Sequence, residues 1–186
     1  MKKINILALA GAANYQLSLV CLDIREYEKS KQICRKAITL FQSCHIGSWY
    51  ITFMNIQLAL AKVMNKEKDI NLNEVLKWRD SMKSRLYKVE AQYYIGAILL
   101  NIHDKRISEA EDWIKKFIEI SQKYGTMWNL ARGYALYADL FKRKGDLSKS
   151  KENLSKAIEI FEECGADGWM EKYRNELEQV HKNQHS

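Results

Sequence analysis

Cys44-His45-Ile46-Gly47-Ser48-Trp49 and, far along the chain, Cys164-Gly165-Ala166-Asp167-Gly168-Trp169 are two copies of one junction, and Tyr124-Gly125-Thr126-Met127-Trp128 between them is a third. Each has the same physical grammar. One helix ends, a Gly or His takes the position beyond its last turn, a small polar residue starts the next helix, and a Trp falls in that helix's first turn. A second set of positions keeps the same register: Tyr27, Ile107 and Leu147; Ser30, Ala110 and Ser150; Ala37 and Ala157. Small residues recur where two helices would cross, because Ser or Ala at a contact lets the axes approach while larger neighbours fill the groove. A common spacing of about 40 residues, or a multiple of it, held from Tyr27 to Trp169, is a repeat. The interval from residue 40 to 80 has no clean match, so the second unit has diverged or carries a shifted turn.

Between the junctions the apolar residues step by three and four. Ile107, Ala110, Trp113, Ile114, Phe117, Ile118 and Ser121 share one helical face, and Leu147, Ser150, Leu154, Ala157, Ile158 and Phe161 repeat it. No segment alternates with the period of a strand. The pattern predicts helices at about 3–23, 26–43, 48–64, 72–83, 86–102, 106–123, 127–144, 147–163 and 168–182. The chain has no proline, where average usage would supply about nine, so the commonest helix breaker is missing. Short connections such as Lys144-Gly145-Asp146 make neighbouring helices antiparallel. The expectation is an all-α chain forming a single domain over 1–186, with hairpins at about 3–43, 48–83, 86–124 and 127–164 and a capping helix at 168–182.

These hairpins resemble the tetratricopeptide repeat, whose unit is two antiparallel helices with a W-x2-L-G-x2-Y pattern in the first. Tyr134, Tyr137, Ala138 and Phe141 stand at those positions in the last unit, followed by Gly145-Asp146-Leu147, Ser150, Leu154 and Ala157. The first unit matches through Leu17, Ser18, Cys21, Tyr27, Ser30, Cys34 and Ala37, and the third through Gly96, Leu99 and Ala110. The signature proline is replaced by Gln42 and Glu162, and the unit is longer than is usual in the family. Such long, proline-free units are similar to the arrays at the C-terminal ends of prokaryotic signalling ATPases, nucleotide cyclases and sensor kinases, above all over Ala157 to Leu177. The resemblance implies a TPR-like α-solenoid of about four hairpins and a non-enzymatic protein-interaction or regulatory module. It also implies that the first helix of each hairpin lines a concave side. Tyr15, Leu19, Glu90, Tyr93, Arg132, Asp139, Lys142 and Arg143 would face that groove, with Trp49 and Phe53 of the second unit as further candidates.

Composition narrows the alternatives. The formal charge is +7, from 30 Lys and Arg against 23 Asp and Glu, which makes a nucleic-acid-binding helical repeat the competing reading. The basic residues are scattered, however, and the densest group, Lys142-Arg143-Lys144, sits where a helix C-terminus attracts cations. Cys21, Cys34, Cys44 and Cys164 form no C-x-x-C pair and read as thiols of a reducing, cytoplasmic compartment. Met1-Lys2-Lys3 followed by Ile4 to Ala12 has the outline of a secretory signal. Asn5 interrupts it, and the same residues continue into a helical pattern to Cys21, which favours a first helix. No membrane span is expected, since Trp49 to Met64 is broken by Asn55, Gln57 and Lys62. Catalytic and metal motifs are absent, and His45 beside Cys44 lacks a second pair at ligand spacing; no cofactor is expected. The Trp and Tyr residues read mainly as core. Glu171, Lys172, Arg174, Asn175, Glu176 and Glu178 give the last helix the polar face of a cap. The N-terminal helix has none, so partners are expected to be a protein or peptide, another domain of the parent chain, or a second copy through the N-terminal hairpin.

Overall fold

The computed structural model describes residues 2–45, 48–67, 70–102 and 106–182, and of residues 2–5, 48 and 49 the backbone alone. Among the described residues there are nine helices and no strand: α1 Lys2–Asp23, α2 Tyr27–Ser43, α3 Ser48–Met64, α4 Leu72–Ser81, α5 Arg85–Ile102, α6 Ile107–Lys123, α7 Met127–Arg143, α8 Leu147–Glu163 and α9 Asp167–Lys182. The spacing of apolar residues thus located every helix to within two residues at each end. They group into two compact units, Met1–Ile102 and His103–Ser186. The boundary falls between the two helices that the sequence pairs as a third hairpin.

One helix with its turn is half of the repeat, and this half is the constant element. Helices α2, α3, α6, α7 and α8 are each 17 residues long, and a three-residue turn follows α6, α7 and α8. In those turns one residue has positive φ: Gly125 at 64°, Gly145 at 78° and Gly165 at 66°. Arg25, His45 and Lys66 hold the equivalent place in the first unit, at 65°, 53° and 62°. The left-handed conformation turns two amides back onto the finished helix. After α7, Gly145 N donates to Lys142 O at 3.2 Å and Asp146 N to Phe141 O at 3.0 Å. These bonds satisfy carbonyls that the helix end leaves without partners. The same pair recurs at Arg25–Glu26, Lys66–Glu67, Gly125–Thr126 and Gly165–Ala166. The new helix then starts at once; at α8 the Asp146 carboxylate accepts from Lys149 N at 3.0 Å.

The second hairpin loses the register for a visible reason. Its second helix, α4, has only 10 residues, and it ends at Met82 with extended backbone (φ −65°, ψ 130°) instead of a left-handed turn. Unit 1 therefore consists of a regular hairpin, α1 and α2, followed by α3, the short α4 and α5, with α3 packed on α2, α4 and α5.

Contacts between helices follow the small residues. Ser30 and Ser150 are buried and Ala37, Ala110 and Ala157 are fully enclosed. The Ser30 hydroxyl donates to Ser18 O across the α1–α2 contact at 2.8 Å, so the small side chain both admits the neighbour and bonds to it. At Gly11 an added Cβ would lie 3.1 Å from the Phe41 ring, and at Gly133 it would lie 2.8 Å from Ile118 Cγ1 and 3.2 Å from Phe117. These two glycines mark where α1 closes on α2 and α7 on α6. In unit 2, α9 covers the hairpin of α7 and α8: Trp169, Met170 and Tyr173 pack against Ala131, Ala135, Ala157 and Phe161, while Val180 meets Ala138 and Leu154. Glu171, Arg174, Asn175 and Glu178 are exposed, the polar outer face expected of the last helix.

One expectation is corrected. No membrane span is expected from the sequence, yet Ile6–Asp23 of α1 has a mean hydropathy of 1.4 over 18 residues and is long and apolar enough to cross a membrane by length and composition alone. Two of the polar residues that break up its sequence are absorbed within the helix. Asn14 Nδ2 donates to Ala10 O at 2.7 Å and the Ser18 hydroxyl to Tyr15 O at 2.6 Å.

The turns generate a pair of tests with opposite signs. Gly145→Ala forces a Cβ into the left-handed region and lowers stability by about 1 kcal/mol. Arg25→Gly relieves the same strain and raises it by up to about 1 kcal/mol, reduced by the greater freedom of glycine in the unfolded chain. Urea denaturation followed by circular dichroism measures both; a loss from each substitution would contradict the role given to the turns.

Candidate functional site

In unit 1 the first-helix face is built of aromatic rings. Tyr15 of α1 meets Tyr50 of α3 edge-on at 5.5 Å between centroids, and Tyr50 in turn lies 5.7 Å from Tyr87 of α5. Phe53 contacts Tyr87 at 5.1 Å and Tyr94 at 5.6 Å, and Tyr93 meets Tyr94 at 5.3 Å. Phe41 reaches Tyr50 from α2 at 5.4 Å. Such edge-to-face pairs add about 0.5–1.5 kcal/mol each to the burial of the rings. The layer has a sealed side and a half-open side. Tyr15, Phe53 and Tyr94 are buried, whereas Leu19, Tyr50, Tyr87, Glu90 and Tyr93 are only partly covered.

Burial keeps the Tyr15 and Tyr87 phenols neutral. Burial pushes the Tyr15 hydroxyl far above the ordinary tyrosine range, and Gln57 Nε2 donates to it at 3.0 Å. Burial, with a hydrogen bond to Tyr50, pushes Tyr87 up to about 12. Cys34, also pushed up to about 12 by burial, places its thiol 3.6 Å from Met54 O and is no nucleophile.

Sequence-based assignments to the groove therefore divide. Glu90 and Tyr93 lie on the half-open side, and Leu19 of α1 is partly covered. Tyr15 and Phe53 do not: at 5% and 2% exposure they belong to the core, because both point into the seam between first helices instead of out of it. The Trp49 side chain lies outside the described residues. Tyr50 and Tyr87, which the sequence reading passed over, occupy the partly covered positions instead. The available signal was their spacing: Tyr50 lies three residues before Phe53 on α3, and Tyr87 seven before Tyr94 on α5.

In unit 2 the residues assigned to a groove all come from α7. Arg132 is half-buried, and Asp139, Lys142 and Arg143 are exposed. The same helix carries an aromatic cluster at its start. Trp128 meets Phe161 edge-on at 5.3 Å and Trp169 at 5.5 Å, while Phe161 stacks on Tyr173 at 5.5 Å. Lys172 Nζ lies 4.6 Å from the centre of the Trp169 ring. Trp128 stays 41% exposed, so this cluster is core on one side and surface on the other.

A polar network joins α6 to α7. Glu111 accepts from Tyr137 OH at 3.1 Å and pairs with Lys115 at 2.8 Å and with Lys144. Lys115 and Lys144, followed by Tyr137, hold its carboxyl well below the usual range, at about 2. Nothing in the spacing of the sequence singled this residue out, because two of its partners come from another helix and from the turn beyond it. Among the described residues no cluster of His, Cys, Asp or Glu could hold a metal ion.

The two regular hairpins are those that match a known family. Residues 11–44, covering most of α1 with α2, and residues 131–164, covering α7 from Ala131 with α8, each match the tetratricopeptide repeat. Both matches end on the cysteine that closes the second helix, Cys44 or Cys164, so they share one register. The resemblance read from Leu17, Ser18 and Cys21 and from Tyr134, Tyr137, Ala138 and Phe141 is supported at those two places. No curated protein matches this sequence.

Because the Glu111 carboxyl is held below its ordinary value, its ionised form stabilises the fold. That contribution is complete above about pH 4.5 and disappears as the pH falls towards about 2. Since Lys115 and Lys144 are 49% and 35% exposed, its size is on the order of 1 kcal/mol. Glu111→Gln should lower the melting temperature at pH 7 by a few degrees, and the gap to the parent protein should shrink between about pH 4.5 and about pH 2.5. A gap independent of pH would assign the loss to packing.

Proposed function

We propose that the chain is a protein-interaction module that holds an extended or helical segment of a partner against the half-open aromatic face of α1, α3 and α5. Tetratricopeptide repeats generally mediate protein–protein interaction, and two hairpins of this chain match that repeat. One observation carries the reading. Tyr50, Tyr87 and Tyr93 lie partly exposed over a layer of rings sealed by Tyr15, Phe53 and Tyr94. Rings fixed in this way lose little freedom when a ligand arrives, which is the main saving that preorganisation offers a binding surface. Tyrosine also presents an apolar ring and a polar tip together. Glu90 on the same side adds a carboxylate, so the favoured segment alternates apolar side chains with a lysine or arginine.

In this reading the hairpins are turns of an α-solenoid; the support is the register common to the two matched segments. Arg132, Asp139, Lys142 and Arg143 on α7 form a second, charged contact. The chain serves as the C-terminal sensor or scaffold part of a multidomain signalling protein, a reading supported by the similarity of Ala157 to Leu177 to the closing segment of such arrays. Its four free cysteines suit a cytoplasmic setting.

Peptide-array and pull-down measurements test the assignment. Tyr50→Ala combined with Tyr93→Ala should weaken captured peptides by about tenfold or more, as expected for aromatic anchors, with helical content unchanged. Arg132→Ala should chiefly alter the salt dependence of binding. Peptides captured equally well by the double variant and the parent protein would remove the aromatic face from consideration.

A further inference from the structure

Helix α1 buries one side and leaves an equally apolar side open. Gly11, Tyr15, Ser18 and Cys21 face α2 and the aromatic layer and are buried. On the opposite side Ile6 is 65% exposed, Leu9 71%, Leu17 49% and Val20 53%, with Ile24 at 58% just past the helix end. Ala13, also exposed, fills the gap between them. The steps 6, 9, 13, 17, 20 and 24 follow the helical period, so these side chains form one straight stripe about 27 Å long. Scattered exposed hydrophobics are ordinary, but a continuous stripe is not. Among the described residues, five of the nine large exposed hydrophobics belong to this one feature. No charged residue lies between Lys3 and Asp23.

From this stripe we infer that two copies of the chain associate through α1, stripe against stripe, about a twofold axis near Ala13 to Gln16. Area and self-complementarity both favour a second copy as the occupant. The exposed parts of Ile6, Leu9, Leu17, Val20 and Ile24 amount to on the order of 500 Å², the upper range for the largest apolar patch on a monomer. Covered on both copies, they bury about 1,000 Å², the threshold for a specific, if modest, interface. A twofold axis needs a surface that complements itself, and an uncharged stripe meets its own copy without like charges colliding. The competing occupant is a lipid bilayer. Against it, α1 is held to α2 by the Ser30–Ser18 bond and by the Gly11–Phe41 contact. Its flanks also lack the rows of basic residues that bring an amphipathic helix to a membrane surface. This surface is separate from the tyrosine face, so the inference does not rest on peptide binding.

Sedimentation equilibrium of the 186-residue chain, from about 1 to about 100 µM as suits a modest interface, should show reversible association to twice the 21.8 kDa chain mass. Leu9→Glu with Val20→Glu should raise the dissociation constant at least about tenfold, and the circular dichroism spectrum should not change, because neither side chain enters the core. A second measurement is independent of that variant's folding. In a Cys164→Ser background, which removes the exposed native thiol, Ala13→Cys should form a disulfide between copies, whereas Ile6→Cys should not, its symmetry mate lying roughly 25 Å away. A monomer at every concentration would overturn the inference, as would a charged double variant that associates like the parent. A monomer that floats with neutral phosphatidylcholine vesicles would overturn it in favour of the bilayer.

Discussion

A single residue with positive φ, placed just beyond the end of a helix, sets the geometry of this protein. At Arg25 and at the three glycines it returns two amides to the last turn and reverses the chain within a three-residue turn, after which the next helix starts. In unit 2 each of these turns follows a helix of 17 residues, at 125, 145 and 165. In unit 2 glycine takes the position three times in succession, at Gly125, Gly145 and Gly165. In unit 1 Arg25, His45 and Lys66 take it, at a steric cost that glycine avoids. Where α4 ends on extended backbone instead, at Met82, that turn is missing, next to the interval of sequence that has no clean match to the repeat.

Short reversals produce hairpins, but small residues determine how closely they pack. Fully enclosed alanines at 37, 110 and 157 and the glycines at 11 and 133 let the helices approach until large side chains interlock. Phe117 and Phe161, both without exposed surface, are the clearest examples, each worth about 2–3 kcal/mol in burial alone. Close packing of this kind fixes the rings that reach the surface, since Tyr50, Tyr87 and Trp128 all rest on buried neighbours. The half-open ring surface is thereby an extension of the core.

Most of the secondary structure was legible because its causes are local. Ile107 to Ser121 and Leu147 to Phe161 display the helical period directly, and the junctions at Cys44, Tyr124 and Cys164 announce the turns. The candidate site was legible only in part. Tyr15 and Phe53 belong to first helices, as the repeat pattern requires, yet they point into the seam, and the half-open positions fall to Tyr50 and Tyr87. A shift of one helical step decides between core and surface, and a repeat pattern read from one chain does not resolve it in a unit whose register has slipped. The apolar character of α1 was visible throughout, but the polar residues within it concealed how long the apolar stretch is.

The sequence by itself determined that the chain is helical, where its helices begin and end, and that its first and last hairpins resemble the tetratricopeptide pattern, because periodicity, caps and turn residues act over a few positions. Only the tertiary structure decided which tyrosines are sealed and which are available, that Glu111 collects a lysine and a tyrosine from beyond its own helix, and that α1 leaves one side bare. Those outcomes depend on what neighbouring helices bring to each side chain, and contacts between residues 26 to 42 positions apart, such as Tyr137 with Glu111 or Gln57 with Tyr15, leave no periodic trace in the order of the amino acids.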